Sequence, residues 1–221
     1  MKEKILLSWS GGKDCSLAHY YIQKAEVYEI IALLTTVTEG YDRVSMHGVR
    51  RTLLERQAEF LGLPLQKVYI PKDPIDKDYE SRMREVLLAY QDEDINCVCF
   101  GDIFLEDVRR YREEKLAQIG MEAIFPLWKR DTTGLIRSFI DLGFKAVVTC
   151  VDSKVLDSSF TGRLIDDDFV SSLPPDVDPN GENGEFHSFV IDGPIFKQEI
   201  NVSTGEVVLR DSFYFCDLLP G

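Results

Sequence analysis

Residues 8–16 read Ser-Trp-Ser-Gly-Gly-Lys-Asp-Cys-Ser, and their types are those of an anion cradle. Gly11 and Gly12 let backbone amides approach an oxyanion without a Cβ in the way. Lys13 adds a point charge and Ser10 a hydroxyl donor, with Ser8 and Ser16 close by. Asp14 would repel a phosphate unless a cation came between, which implies Mg²⁺. If a helix starts here, its free first-turn amides and its dipole complete the site. The same residues also fit a tight strand-to-helix turn with a capping aspartate. The spacing is neither the Walker A loop, with four residues between its glycines, nor the dinucleotide fingerprint. The expected ligand is a polyphosphate.

Three further groups carry candidate chemistry. Gly101-Asp102 follows a predicted strand, where Asp102 suits a cation or a substrate and equally suits a helix N-cap. Glu182, Glu185 and His187 lie around Gly181 and Gly184 in a bent loop. The two acids can bind Mg²⁺ and the imidazole can serve as acid or base, or the stretch is a turn with solvated acids. His47 in a polar loop suits a pocket wall or the surface. His19, inside a helix, reads as structural. Arg163 suits a carboxylate or phosphate, or a surface pair with the Asp166–Asp168 run. Cys97 and Cys99 alternate onto one strand face as small core residues. Five cysteines without secretory context predict no disulfide framework.

These groups must be positioned by alternating elements. Strands are predicted at 4–9, 29–37, 65–70, 95–100, 122–127 and 144–151. Helices are predicted at 13–25, 50–62, 79–90, 105–119 and 132–143. The strands are short, continuous and rich in branched residues, as in strands covered on both faces. The order predicts a doubly wound, mostly parallel α/β sheet, in which ligands bind beyond the carboxyl ends of the strands. The glycine turn and Asp102 both fall at such ends. After about residue 152 the chain turns rich in Asp, Ser, Gly and Pro, a long loop of the functional or disordered kind. The segments 189–196 and 205–215 then read as paired strands in a smaller α+β lobe. The expected division is a nucleotide-binding domain at 1–128 and a substrate or lid domain at 129–221.

Of 221 residues, 44% are hydrophobic and 29% charged, the balance of a globular protein. The net charge of -13 disfavours a nucleic-acid partner. Arg109, Arg110 and Arg112 alternate with acids and read as a solvated helix face. No apolar run has membrane-spanning length, and a cytoplasmic location is the expectation.

The segment "SGGKDC" (10–15) resembles the pyrophosphate-loop signature of the ATP pyrophosphatases, which cleave ATP between its α and β phosphates. "SMHGVR" (45–50), "LGLPL" (61–65), "FGDIFLEDVRRYRE" (100–113), "FPLW" (125–128) and "DPNGENGEFHSFV" (178–190) resemble the diphthine–ammonia ligase branch. The resemblance implies a Rossmann-like, HUP-type fold. It also implies an activity that adenylates a carboxylate with ATP and Mg²⁺, releases pyrophosphate and passes the acyl group to ammonia. Ser10, Gly11, Gly12, Lys13 and Asp14 match the loop positions, while Cys15 stands where serine is usual. By the same resemblance the strand end at Leu34 and Thr35 contacts adenine, and Gly101-Asp102 faces the reaction centre. Lys13, Asp102, Glu182, Glu185 and His187 are then the candidate catalytic residues, and the two glutamates attract ammonium and take its proton. The candidate nucleotide contacts are Ser8, Ser10, Gly11, Gly12, Lys13, Asp14, Cys15, Ser16, Leu34, Thr35 and Gly101. One departure bears on the substrate: Glu182-Asn183-Gly184-Glu185-Phe186-His187 stands where diphthamide-forming members carry Glu-Gly-Gly-Glu-Tyr-Glu. The carboxylate is therefore protein-borne diphthine or a small molecule. A tRNA-modifying pyrophosphate-loop enzyme and a non-catalytic ATP-binding module are the rival readings. A homodimer is the expected assembly.

Overall fold

Strand β1 (Glu3–Ser8) sends its side chains alternately to two cores, and that alternation organises the chain. Ile5 and Leu7 enter one core with Leu17, Ala18 and Ile22 of helix α1 (Lys13–Ala25) and Leu53, Leu54 and Ala58 of α2 (Arg51–Leu61). Leu6 enters the other, with Leu87 of α3 (Asp76–Gln91) and Leu116 of α4 (Glu106–Ala117). The computed structural model describes residues 2–40, 43–44, 48–71 and 76–221. The candidate His47 lies outside them.

Strands β2 (Tyr28–Thr38), β4 (Leu65–Ile70), β5 (Cys97–Cys99) and β6 (Glu122–Ile124) join β1 in a parallel sheet ordered β4-β2-β1-β5-β6. A two-residue strand, β3 (Arg43–Val44), pairs antiparallel with the end of β2. Helices α1 and α2 cover one face and α3 and α4 the other, so the winding reverses between β1 and β5. The expected doubly wound fold is present, and its switch point lies where the glycine turn leaves β1. Cys97 and Cys99 share the first core while Val98 enters the second. All five cysteines are free thiols.

Helix α5 (Thr132–Asp141) leads to β7 (Lys145–Asp152), which does not extend the parallel sheet as expected. It belongs to a second, antiparallel sheet ordered β8-β7-β10-β9, with β8 (Phe186–Asp192), β9 (Val202–Arg210) and β10 (Phe213–Pro220). The expected pairing of 189–196 with 205–215 is corrected as well. β8 pairs with β7, while β9 and β10 form their own hairpin. Its turn residues Asp211 and Ser212 have φ of 46° and 71°, the left-handed conformation of a two-residue hairpin. The long loop is also less bare than expected. It holds a short 3₁₀ turn at Ser158–Phe160 and helix α6 (Asp167–Ser172), whose cap is Asp166 accepting from Phe169 N at 2.8 Å. The second sheet lies on the α1–α2 side, and Val147, Phe189 and Val190 enter the same core as Leu7 and Leu54.

Candidate active site

The glycine turn is fixed before any ligand arrives. Gly11 has φ of +81°, and a Cβ there would lie 2.7 Å from Gln57 Oε1 and 2.9 Å from Leu54 Cδ1. Glycine is thus needed at 11 for conformation and for packing against α2, rather than for approach of a ligand. The Gly11 carbonyl accepts from Val190 N at 2.9 Å and from Gln57 Nε2 at 3.0 Å. Gln57 is fully buried, also donates to the Val190 carbonyl at 2.7 Å, and accepts from Trp9 Nε1 at 2.9 Å. One amide therefore ties the turn, α2 and the second sheet together.

Gly12 is the N-cap of α1 and no side chain caps the helix. Its carbonyl accepts from Ser16 Oγ at 2.9 Å and Cys15 Sγ at 3.1 Å, so both of these buried side chains are spent on the turn. Burial pushes the Cys15 thiol up from its ordinary pKa. Lys13 N donates to Ser188 Oγ at 3.2 Å, whereas the amides of Asp14 and Cys15 have no acceptor among the described residues. A Cβ at Gly101 would press on that peptide, 2.9 Å from Asp14 C and 3.0 Å from Cys15 N. Glycine is required there for close contact between the end of β5 and the first turn of α1.

A cavity of about 880 Å³ opens beside the turn, between the carboxyl ends of the parallel strands and helices α3 and α4. Ser8, Ser10, Leu34 and Thr35 line it, as do Met83, Phe100 and Arg112. The volume and the mixture of apolar wall and few polar groups suit a nucleotide. The Leu34 carbonyl is occupied by Trp9 N at 2.8 Å.

On the other side of the turn lies a polar cluster. Lys13 is buried, with its ammonium 2.8 Å from Asp14 Oδ2 and 5.4 Å from the centre of the Phe186 ring. Asn180 Nδ2 donates to Asp14 Oδ1 at 2.7 Å. Glu182 Oε1 accepts from Ile103 N at 2.9 Å and Phe104 N at 3.4 Å, which seats the 178–185 loop on the segment after β5. Burial, with Asp14 as a nearby negative charge, pushes the Glu182 carboxyl up to about 7. Burial and the Lys13 ammonium hold His187 down to about 4, so it is neutral at pH 7 and not a ready acid. Burial raises Asp102 despite its pairing with Arg112, and Asp14 adds to the rise. Asp14 thus acts electrostatically on Asp102, Glu182 and His187 together.

Glu185 is placed differently. Its Oε1 accepts from Asp178 N at 3.1 Å and Asn183 Nδ2 at 3.0 Å, which braces the loop internally. Gly181 and Gly184, with φ of +64° and +88°, supply the bends. Among the described residues Arg163 pairs with no carboxylate. It donates to Ser172 Oγ at 2.9 Å and lies over Phe160 and Phe169. His19 is buried beside Trp9, as a structural histidine would be.

Residues 1–123 match the family described as diphthamide synthase N-terminal domain, and residues 131–218 match diphthamide synthase C-terminal domain. The chain belongs to the diphthamide synthase family. Among its relatives is the human protein named diphthine–ammonia ligase, 26% identical over 229 residues, or 93% of this chain and 85% of the human one. The mouse protein of that name is 27% identical over 229 residues, with the same coverage of both chains. The fission-yeast (Schizosaccharomyces pombe) protein of that name is 25% identical over 237 residues, 97% of this chain but 38% of its own length.

Three residues of this family member's site escaped the sequence reading. Gln57 carried a signal, since it is a polar residue on the buried face of α2 between Leu54 and Ala58. Asn180 stood inside a quoted segment but had no carboxylate or imidazole to mark it. Arg112 was hidden by its neighbours. Arg109 and Arg110 make the expected helix-surface pairs with Glu113 and Asp107, yet Arg112 turns inward to Asp102. For Mg²⁺, no three ligating side chains converge among the described residues. An ion here would take one or two carboxylates, Asp14 foremost, and the rest of its ligands from phosphate and water, its usual mode with nucleotides.

Proposed function

We propose that this protein is an AMP-forming, ATP-dependent ligase that joins ammonia to a carboxylate, as a diphthine–ammonia ligase does. The observation that carries the reading is the seating of the 178–188 segment on the pyrophosphate loop. Asn180 bonds Asp14, Ser188 bonds Lys13 N and Glu182 bonds the strand end beside Asp102. Nucleotide cavity and acidic cluster thereby meet at one turn. The lobe at 1–128 holds ATP and the lobe at 129–221 supplies the acceptor side.

In this reading adenine lies against Leu34 and Thr35, with Ser8 and Ser10 along the cavity wall. The polyphosphate takes the amides of Asp14 and Cys15, which have no acceptor among the described residues. Mg²⁺, when bound near Asp14, screens phosphate charge. A carboxylate cannot expel oxide directly. Its attack on the α phosphorus breaks the bond to the bridging oxygen, expels pyrophosphate and gives an acyl adenylate, from which ammonia then displaces AMP. The Lys13 ammonium sits on Asp14, behind the turn that carries the phosphates, and Asp102 lies beside the same turn. Glu182, half protonated near pH 7, suits the task of taking a proton from ammonium in a setting with few waters. Neutral His187 accepts a hydrogen bond or a proton, and Glu185 keeps the loop in shape.

The test is pyrophosphate release with ATP, ammonium and either a diphthine-bearing protein or candidate small carboxylates. Release that needs both ammonium and a carboxylate supports the ligase. Release that needs tRNA, or ATP binding without turnover under every combination, contradicts it. Glu182→Gln is expected to keep ATP affinity and lose about 100-fold or more in turnover, in line with loss of a general base.

A further inference from the structure

The lysine of the glycine turn is not the cation of the nucleotide cavity. Lys13 does not line it. Its ammonium is buried on the far side of the turn, held by Asp14 and Phe186. The cationic residues on the cavity wall are Arg84, Arg112 and Lys115, in a chain of net charge -13. Lys115 is neutralised by Glu80 at 2.7 Å and Arg84 is exposed. Arg112 is different. Its guanidinium lies over the Phe100 ring, 4.3 Å from the centroid, and beside Asp102 at the switch point. The contact to Asp102 is close but poorly aligned. Nε is 2.8 Å from Oδ2 without making a hydrogen bond, and the one aligned bond, from an Nη to Oδ1, is long at 3.3 Å. Both Nε and Oδ2 are buried with no other partner among the described residues. A planar fork of five donors is thus held flat by an aromatic face and a carboxylate, and most of its donors have no other partner among the described residues.

We propose that Arg112 is a phosphate-binding residue of this cavity, taking oxygens of the nucleotide's polyphosphate while Asp102 and Phe100 fix the plane of its guanidinium. The proposal rests on the reading of the cavity as the ATP site and adds the side chain that supplies its charge. Phosphate is favoured because Ser8 and Ser10, which lead into the glycine turn, line the same cavity as Arg112, and bidentate arginine suits tetrahedral oxyanions.

The experiment is calorimetric titration of wild type, Arg112→Lys and Arg112→Gln with ATP and with adenosine. Arg112→Gln should weaken ATP by about tenfold or more, the worth of a charge-assisted contact, and leave adenosine within about twofold. Arg112→Lys should fall between, because it keeps the charge and loses the fork. Since Arg112→Gln strands Asp102, the double variant Arg112→Gln/Asp102→Asn removes that cost and should show the same selective loss. Equal ATP affinity in all variants overturns the proposal. So does a parallel loss of adenosine and ATP in the double variant, which would make Arg112 a packing residue. A wild-type protein that binds adenosine but gains nothing from the phosphates also overturns it. Wild type that binds neither ligand sinks the reading of the cavity, and this inference with it.

Discussion

The glycine turn is gripped from two sides by unlike means. On the parallel-sheet side the grip is backbone. β1 and β5 run together, and Gly101 lets the end of β5 rest on the first peptide of α1. On the side of the second sheet the grip is made largely of side chains. Gln57, Asn180, Glu182 and Ser188 reach the turn or the strand end beside it, across sequence separations from 46 to 175 residues. The first grip leaves amides free and a cavity beside them. The second works through single polar atoms of Asn180, Glu182 and Ser188 and through both ends of the Gln57 amide. The molecule therefore keeps its ligand capacity on one side of the turn and its precision of placement on the other.

Removing the side-chain grip should have the largest effect. Gln57→Leu strands Trp9 Nε1 and the Val190 carbonyl in the core and halves the bonding of the Gly11 carbonyl. A loss of about 3 kcal/mol or more is expected in urea unfolding, with weaker ATP binding in whatever remains folded. A neutral result would mean that the two sheets do not meet through this amide.

Gly101→Ala attacks the backbone grip. The new methyl meets backbone, which cannot swing aside, so a cost of about 1–3 kcal/mol is expected with reduced ATP affinity. An alanine variant with unchanged melting and binding would show that β5 has room to retreat.

Acidity sharpens the contrast further. Glu182 has its folded pKa raised to about 7 from an ordinary 4.5. Between those values the folded protein binds more protons than the unfolded chain, so stability should fall as pH rises through that window. Glu182→Gln should flatten this fall, measured as the urea midpoint at pH 5 and pH 8, by about 1 kcal/mol or somewhat more. A steeper fall in the variant would reverse the assignment. The smallest effect belongs to Arg110→Ala. Its pairing with Asp107 is exposed, and stability should change by less than about 0.5 kcal/mol.

What could be read from sequence follows the same division. β1, α1, β4 and the glycine turn were legible because their signals are local: alternation, helical spacing, and small residues at a strand exit. The placement of Asp102 beside the turn followed from the doubly wound order alone. The second sheet was not legible, because β7 looks like another parallel strand until its partners are known. The hairpin turn at Asp211 and Ser212 lacks the glycine that usually marks one. Arg112 was lost in a run of alternating charges, since no local rule separates an arginine that stays on a helix surface from one that turns to a buried carboxylate. Ser16 bonds within its own turn, and Glu185 braces its own loop through one oxygen while the other is buried without a partner among the described residues.

The central claim is that a polyphosphate rests on the first turn of α1, between the cavity and the acidic cluster. A crystal structure with a non-hydrolysable ATP analogue tests it directly. The account predicts the base against Leu34 and Thr35 and the phosphates on the amides of Asp14 and Cys15, within reach of Arg112. Phosphates found away from that turn, with the base elsewhere in the cavity or outside it, would contradict it.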